Sequence, residues 1–301
     1  MGGTRGVRPA CVLACVVMVL LVGCPVAVGP DGVRHPFDDD SDNDGLDDEL
    51  EERIGTDPEA PDTDGDRLPD GWEYRNETDD GAALPGADPL HKDLYVQAIY
   101  GAGVDPLTDA ERRALREIWA AMGVSNPDGE TGIQVHLDDS PPAAGSLEEN
   151  VTAPTDENGT ADDDALLSAA YDAHVPERRQ CAYHLALYTD SYDLGTAGRG
   201  ETPGYSTALL VDDMEYEWYG NHPYRVTTTT HELLHNVVGE LEGPDGTYSH
   251  PEVGWLAHPE YIENSTEYGE TYERLSPPAR GRLSGEGFAR PNCRSELVQF
   301  A

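Results

Sequence analysis

Twice near its N-terminal end the chain sets an acid at every second position. Asp40-Ser41-Asp42-Asn43-Asp44-Gly45-Leu46-Asp47-Asp48-Glu49-Leu50-Glu51 is followed by Asp62-Thr63-Asp64-Gly65-Asp66-Arg67-Leu68-Pro69-Asp70-Gly71-Trp72-Glu73, which begins 22 residues later (62 minus 40). Both copies carry acids at positions 1, 3, 5, 9 and 12. Carboxylates drawn into one short loop repel one another unless a cation compensates them, so this pattern limits the fold more than any apolar run does. Hard oxygen ligands at alternate positions, a backbone carbonyl at position 7 and a twelfth acid describe the twelve-residue calcium loop. The predicted calcium ligands are Asp40, Asp42, Asp44, Leu46 (carbonyl), Asp48 and Glu51, then Asp62, Asp64, Asp66, Leu68 (carbonyl), Asp70 and Glu73. Generic acidic runs do not keep this spacing twice. Position 6 is Gly45 in the first copy but Arg67 in the second, where the glycine has moved to Gly65.

The two loops, joined by Gly55-Thr56-Asp57-Pro58, resemble calcium repeats of the thrombospondin type 3 or dockerin kind, which implies a structural spacer. Residues 38–80 then read as a small module with too few apolar side chains to fold alone, so metal binding supplies its folding free energy. Residues 81–92 form a Gly/Pro/Asp linker.

The rest of the chain is acidic too. Lys+Arg total 19 against Asp+Glu 59, for a net charge of -40, and Lys92 is the only lysine. Multimolar salt screens such a charge to within ~3 Å. The composition resembles that of an extreme halophile's exported protein, and it excludes nucleic acid as a partner. Export is also written at the start. Arg5 and Arg8 precede an apolar run from Pro9 to Val22, ending in Leu21-Val22-Gly23-Cys24. That run is short for a membrane span and has the layout of a signal peptide. Its end resembles a lipoprotein processing site, which implies removal of residues 1–23, a lipidated Cys24 on a tether of residues 24–37, and an extracellular protein anchored to the membrane. With Cys11 and Cys15 removed and Cys24 modified, Cys181 and Cys293 are left to form one disulfide in an oxidising compartment. Sequons at Asn76, Asn150, Asn158 and Asn264 fit that location.

The chemistry is concentrated in Thr227-Thr228-Thr229-Thr230-His231-Glu232-Leu233-Leu234-His235-Asn236-Val237-Val238-Gly239. On a helix, His231 and His235 lie one turn apart on one face, where two imidazoles can grip one zinc ion. Glu232, beside the first ligand, is placed to take a proton from an attacking water. Leu233, Leu234, Val237 and Val238 would bury the helix, and Gly239 would end it. Val226 and the four threonines are poor helix formers and read as a strand end and N-cap.

Around this motif the elements alternate. Asp93–Tyr100 reads as a strand, and Thr108 caps a helix running to Gly123. Ile133–Leu137 is a strand in which His136 reads as a polar residue on the open face. A helix over 163–174 and strands over Ala182–Tyr188 and Thr207–Val211 follow, with Gly195–Gly204 as a flexible connection. Ser276-Pro277-Pro278 opens a late helix.

This order, ending in His-Glu-x-x-His, resembles the N-terminal subdomain of metzincin-type zinc peptidases. The resemblance implies an α+β domain over 93–301 with a zincin-like mixed sheet and an active-site helix. It implies zinc as a second cofactor beside calcium, and a peptide or protein substrate that pairs with an edge strand, here Ser206–Val211. The family's longer pattern breaks off: Val238 and Leu241 stand where a glycine and a third ligand belong, and no methionine follows Met214. Zinc still needs a third protein ligand. The candidates are His250 first, then Glu242 and His258, with Glu263 as the choice of a gluzincin. The predicted function is a zinc-dependent endopeptidase in which Glu232 activates water. The competing reading is a non-catalytic calcium-binding surface protein with a structural or vestigial zinc site.

Overall fold

Alternating side chains of Asp93–Tyr100 point to opposite faces of a strand, and here both faces are covered. The structure is a computed structural model that describes residues 39–101, 103–139, 163–189, 198–210, 218–219, 222–241 and 275–289. In chain order the elements are α1 (Asp48–Ile54), α2 (Asp70–Arg75), β1 (Asp93–Tyr100), α3 (Asp109–Ala120), β2 (Gln134–Asp138), α4 (Asp163–His174), β3 (Tyr183–Thr189), β4 (Gly198–Gly200), β5 (Ser206–Leu210), β6 (Trp218–Tyr219), β7 (His222–Pro223), α5 (Tyr224–Val238) and α6 (Pro277–Gly285). The architecture is the expected α+β: a five-stranded mixed sheet ordered β2-β1-β3-β5-β4 with helices against it. β1, β2, β3 and β5 run parallel, with Leu94 opposite Val135 and Ala98 opposite Ala186, while β4 lies antiparallel to β5.

Parallel strands are stable when helices cover both faces. Leu94, Val96 and Ala98 pack with α3, α5 and α6 through Leu115, Trp119, Leu233 and Leu283. Tyr95, Ile99, Leu185 and Leu187 face the other way, onto Leu167 and Tyr171 of α4. That second core also takes in Leu68 and Trp72 from the second acidic loop. The acidic segment is therefore packed onto the sheet and shares its core. Among the described residues no helix is long and apolar enough to cross a membrane.

Two local expectations fail for physical reasons. The threonine run lies inside α5, which begins at Tyr224 after Pro223. A β-branched residue costs a helix about 0.7 kcal/mol or less. Leu233, Leu234, Val237 and Val238 are each at most 1% exposed, and burying such a side chain contributes about 1.5–3 kcal/mol. Tertiary burial wins. The hydroxyls adapt by donating to carbonyls four residues back, Thr228 to Tyr224 at 3.0 Å and Thr229 to Arg225 at 2.7 Å. Second, the connection over Gly195–Gly204 contains β4, so the sheet ends there. β5, expected as the edge, is enclosed between β3 and β4.

α5 is fixed at both ends. Arg225 donates to both oxygens of Glu111 at 2.9 and 2.7 Å, and Glu111 itself closes the capping box of α3 with Thr108. At the other end, the C-terminal carbonyls that a helix leaves orphaned find donors. Ala289 N–H donates to Val237 at 2.6 Å, and Arg282 donates to Val238 at 3.0 Å. Gly239 closes the helix with φ 67°.

Candidate metal centres

One helical turn brings the rings of His231 and His235 together. Their Nε2 atoms lie 3.2 Å apart, with ring centroids at 4.9 Å and planes at 83°. Two zinc–nitrogen bonds of 2.0–2.1 Å at a tetrahedral angle require a nitrogen separation of about 3.3 Å. The pair therefore fits one zinc ion without rearrangement. His235 is buried and held in place through its neighbour. Asn236 donates to the carbonyls of Glu201 at 2.9 Å and Ser206 at 3.1 Å, and its Oδ1 lies 3.2 Å from Nδ1 of His184 on β3. Burial lowers His184 to about 4, so that ring is neutral and serves the packing. No pattern in the chain marks this anchor, since an asparagine after a candidate ligand histidine has many uses.

Glu232 is 7% exposed. Burial pushes its carboxyl up to about 8, against the Arg199 charge and a backbone hydrogen bond from Gly200, both of which pull it down. Its wall is β4. A Cβ on Gly198 would come within 2.8 Å of the Glu232 side chain, and one on Gly200 within 2.4 Å of the Glu232 carbonyl oxygen and 3.1 Å of His235 Cβ. The Gly-Arg-Gly triplet is what lets this strand close over α5. We expect Gly200→Ala to destabilise the fold by about 1–3 kcal/mol, because backbone meets backbone there. Gly198→Ala should cost less, because the Glu232 side chain can swing aside. Denaturant midpoints of the two variants in the same salt check this order, and equal midpoints would refute it.

Leu241 packs against the core, as an apolar residue at the absent third-ligand position should. His250, Glu242, His258 and Glu263 lie outside the described residues, as do Cys24, Cys293 and the sequons at Asn150, Asn158 and Asn264. Cys181 is buried and disulfide-bonded.

The acidic loops form the other centre. Asp40, Asp42 and Asp44 each offer an oxygen within 4.8 Å of the others, and so do Asp62, Asp64 and Asp66. Two ligands of one calcium ion at 2.4 Å are at most about 4.8 Å apart, so each trio fits a single ion. Positions 4 and 6 of both loops take positive φ: Asn43 at 65° and Gly45 at 95°, Gly65 at 80° and Arg67 at 87°. Arg67 thus adopts the turn that glycine provides in the first copy, and its guanidinium donates to the Phe288 carbonyl at 2.7 Å. Leu46 and Leu68 bury their side chains and donate their N–H groups to Asp44 at 2.7 Å and Asp66 at 2.9 Å.

The twelfth acids are sealed in. Glu51 and Glu73 are both fully buried. Glu51 Oε2, both oxygens of Glu73, Asp42 Oδ2 and Asp64 Oδ2 have no hydrogen-bond partner among the described residues. Burial, reinforced by the neighbouring carboxylates, pushes Asp42 up to about 6 and Glu51 to about 7, and pushes Asp64, Asp66 and Glu73 well up. Buried carboxylates that accept no hydrogen bond are costly unless they pair with a cation or coordinate a metal.

Residues 40–58 match the bacterial TSP3 repeat. The second loop lies beyond the matched TSP3 residues, although it repeats their spacing. A search of curated proteins finds no match. Among solved structures the chain is similar to the crystal structure of an archaemetzincin from Methanopyrus kandleri, at 16% identity and a TM-score of 0.34, over 64% of this chain and 93% of that one. A likeness this distant assigns neither site nor activity.

In both acidic loops the ninth positions behave unlike the first, third and fifth. Asp48 accepts from Ser41 N–H and Oγ, both at 2.9 Å, and so braces the loop that it closes. Asp70 does the same for Thr63, at 2.9 and 2.6 Å, yet it also stands with Asp44 and Glu51 of the preceding loop. Spacing identifies such a residue as an acid of the loop but does not say which loop it serves.

Proposed function

We propose that this chain is a zinc-dependent endopeptidase, exported, held at the cell surface through a lipidated Cys24, and stabilised by calcium in both acidic loops. The observation that carries the reading is the 3.2 Å approach of the His231 and His235 Nε2 atoms, with the Glu232 carboxyl in the adjoining position of the same buried turn. A zinc ion held there supplies Lewis acidity to the scissile carbonyl. The chain supplies the rest. His231 and His235 hold the ion, with a third ligand from the residues beyond the helix, His250 before Glu242. Glu232 takes the proton of the attacking water and delivers it to the leaving amine. α3 and α6, bonded to the two ends of α5, hold the helix against the sheet.

Elemental analysis of the purified chain in multimolar salt should find a zinc ion, and His235→Ala should lose the zinc and protein hydrolysis together. A chain that folds and binds calcium, but carries no zinc and hydrolyses nothing, would overturn the enzyme in favour of the non-catalytic calcium-binding surface protein.

A further inference from the structure

We infer that the sheet itself completes the second calcium site: Asp93, the first residue of β1, is a ligand of the ion held by Asp62, Asp64, Asp66 and Glu73. This rests on the calcium reading of the second loop and goes beyond it, since Asp93 lies 20 residues after the twelfth acid (93 minus 73) and belongs to no loop motif.

Oxygens of Asp66, Glu73 and Asp93 lie within 4.8 Å of one another, so one ion can touch all three. Glu73 is fully buried with neither carboxylate oxygen hydrogen-bonded among the described residues, and Asp64 Oδ2, from a residue 4% exposed, is in the same state. Four acids and no cation would leave that interior strongly repulsive. Adding Asp93 without an ion would make it worse. The buried Lys92, whose Nζ donates to the Asp64 backbone carbonyl, offsets only part of this, since it brings one positive charge to Asp62, Asp64, Asp66, Glu73 and Asp93.

The first loop shows the same construction. There Asp44 and Glu51 are joined by Asp70, from the next repeat, and Asp44 Oδ2 accepts the N–H of Gly71, 27 residues on, at 2.8 Å. In the second loop Asp66 Oδ2 accepts the N–H of Asp93, again 27 residues on, at 2.6 Å. β1 therefore stands where a third repeat would stand, and Asp93 takes the part that Asp70 takes in the first site. Its carboxylate is already aimed. His136 Nε2 on β2 bonds Oδ1, and the Asp88 N–H donates to Oδ2 at 2.8 Å. The His136 ring is stacked on Tyr95 with centroids 4.4 Å apart. Outer partners of this kind fix ligating carboxylates. His136, which reads as a mere surface polar residue in the strand pattern, is by this account a positioning residue.

Calcium titration calorimetry on the full chain tests the assignment. Glu73→Gln identifies the binding phase of the second loop, and Glu51→Gln that of the first. Asp93→Asn should weaken the Glu73-dependent phase at least tenfold and leave the Glu51-dependent phase unchanged. If Glu73→Gln removes a phase that Asp93→Asn does not weaken, the assignment of Asp93 is wrong and the loop reading stands. If Glu73→Gln removes no phase at all, both are wrong. Should Asp93→Asn not fold, terbium-bound crystals of the unmodified chain decide. A second-loop ion within about 2.6 Å of an Asp93 oxygen supports the proposal, and one more than about 4 Å away overturns it.

Discussion

Removing calcium from both loops, with zinc supplied and multimolar salt held constant, is expected to lower the melting temperature of the chain by about 16–32 °C. An ion at a thousand times its dissociation constant contributes about 4 kcal/mol per site. A change of 1 kcal/mol moves the transition of a 150–250-residue domain by about 2–4 °C. The effect should extend beyond the acidic segment. Leu68 and Trp72 belong to the core behind β1, so loosening the second loop exposes one face of the sheet. The same loop reaches α5 through two hydrogen bonds: Phe288 N–H donates to the Gly65 carbonyl at 2.7 Å, and Ala289 N–H to the Val237 carbonyl at 2.6 Å. Gly65 and Gly287 meet so closely that a Cβ on Gly65 would lie 3.1 Å from the Gly287 Cα. Hydrogen exchange in α5 should therefore rise on calcium removal, most at its C-terminal turn. A calcium-free chain with the same melting point and the same exchange in α5 would show the acidic loops to be an independent spacer.

The parts of this fold that were legible in the sequence are those in which local pattern and tertiary need agree. The strand at 93–100 and the helix at 163–174 appear where alternation and polarity place them, and Thr108 and Ser276 cap the helices they precede. The α+β class was what the resemblance of the element order to the zinc-peptidase subdomain implied. Legibility failed where a distant partner decides. Thr227 to Thr230 read as strand and cap because their propensity says so, but the apolar stripe on the following two turns holds them in helix. Gly198-Arg199-Gly200 reads as linker because glycine has no strand propensity, and its missing Cβ atoms make sense only once Glu232 and His235 lie against them. The acids of the loops were identifiable one by one, whereas the pairing of Asp70 with Asp44 and Glu51, and of Asp93 with Asp66 and Glu73, depends on how the chain returns on itself. Arg67 at position 6 looked like a departure from the turn. The backbone makes the turn regardless, with a bond to Phe288 available to a long cationic side chain and not to glycine.

Glu232→Gln is expected to cut peptide hydrolysis by about 10²–10⁴-fold while zinc content and the melting temperature hold. General acid–base transfer by one positioned side chain accounts for a factor of that size, about 2.7–5.4 kcal/mol of barrier at 1.36 kcal/mol per tenfold. Glutamine has the same shape, still accepts the hydrogen bond from Gly200, and leaves His231 and His235 in place, so metal retention follows from the geometry. It lacks only a lone pair basic enough to carry a proton. Stability should hold, because the amide fills the same buried space and keeps the hydrogen bond from Gly200. This separates the catalytic role from a structural one. A carboxylate that merely filled space beneath β4 would leave the rate unchanged on replacement by its isostere. A structurally required charge would bring melting temperature and zinc down together. Kinetics and zinc analysis on the same preparation distinguish the cases, and undiminished hydrolysis by the glutamine variant would remove Glu232 from the reaction.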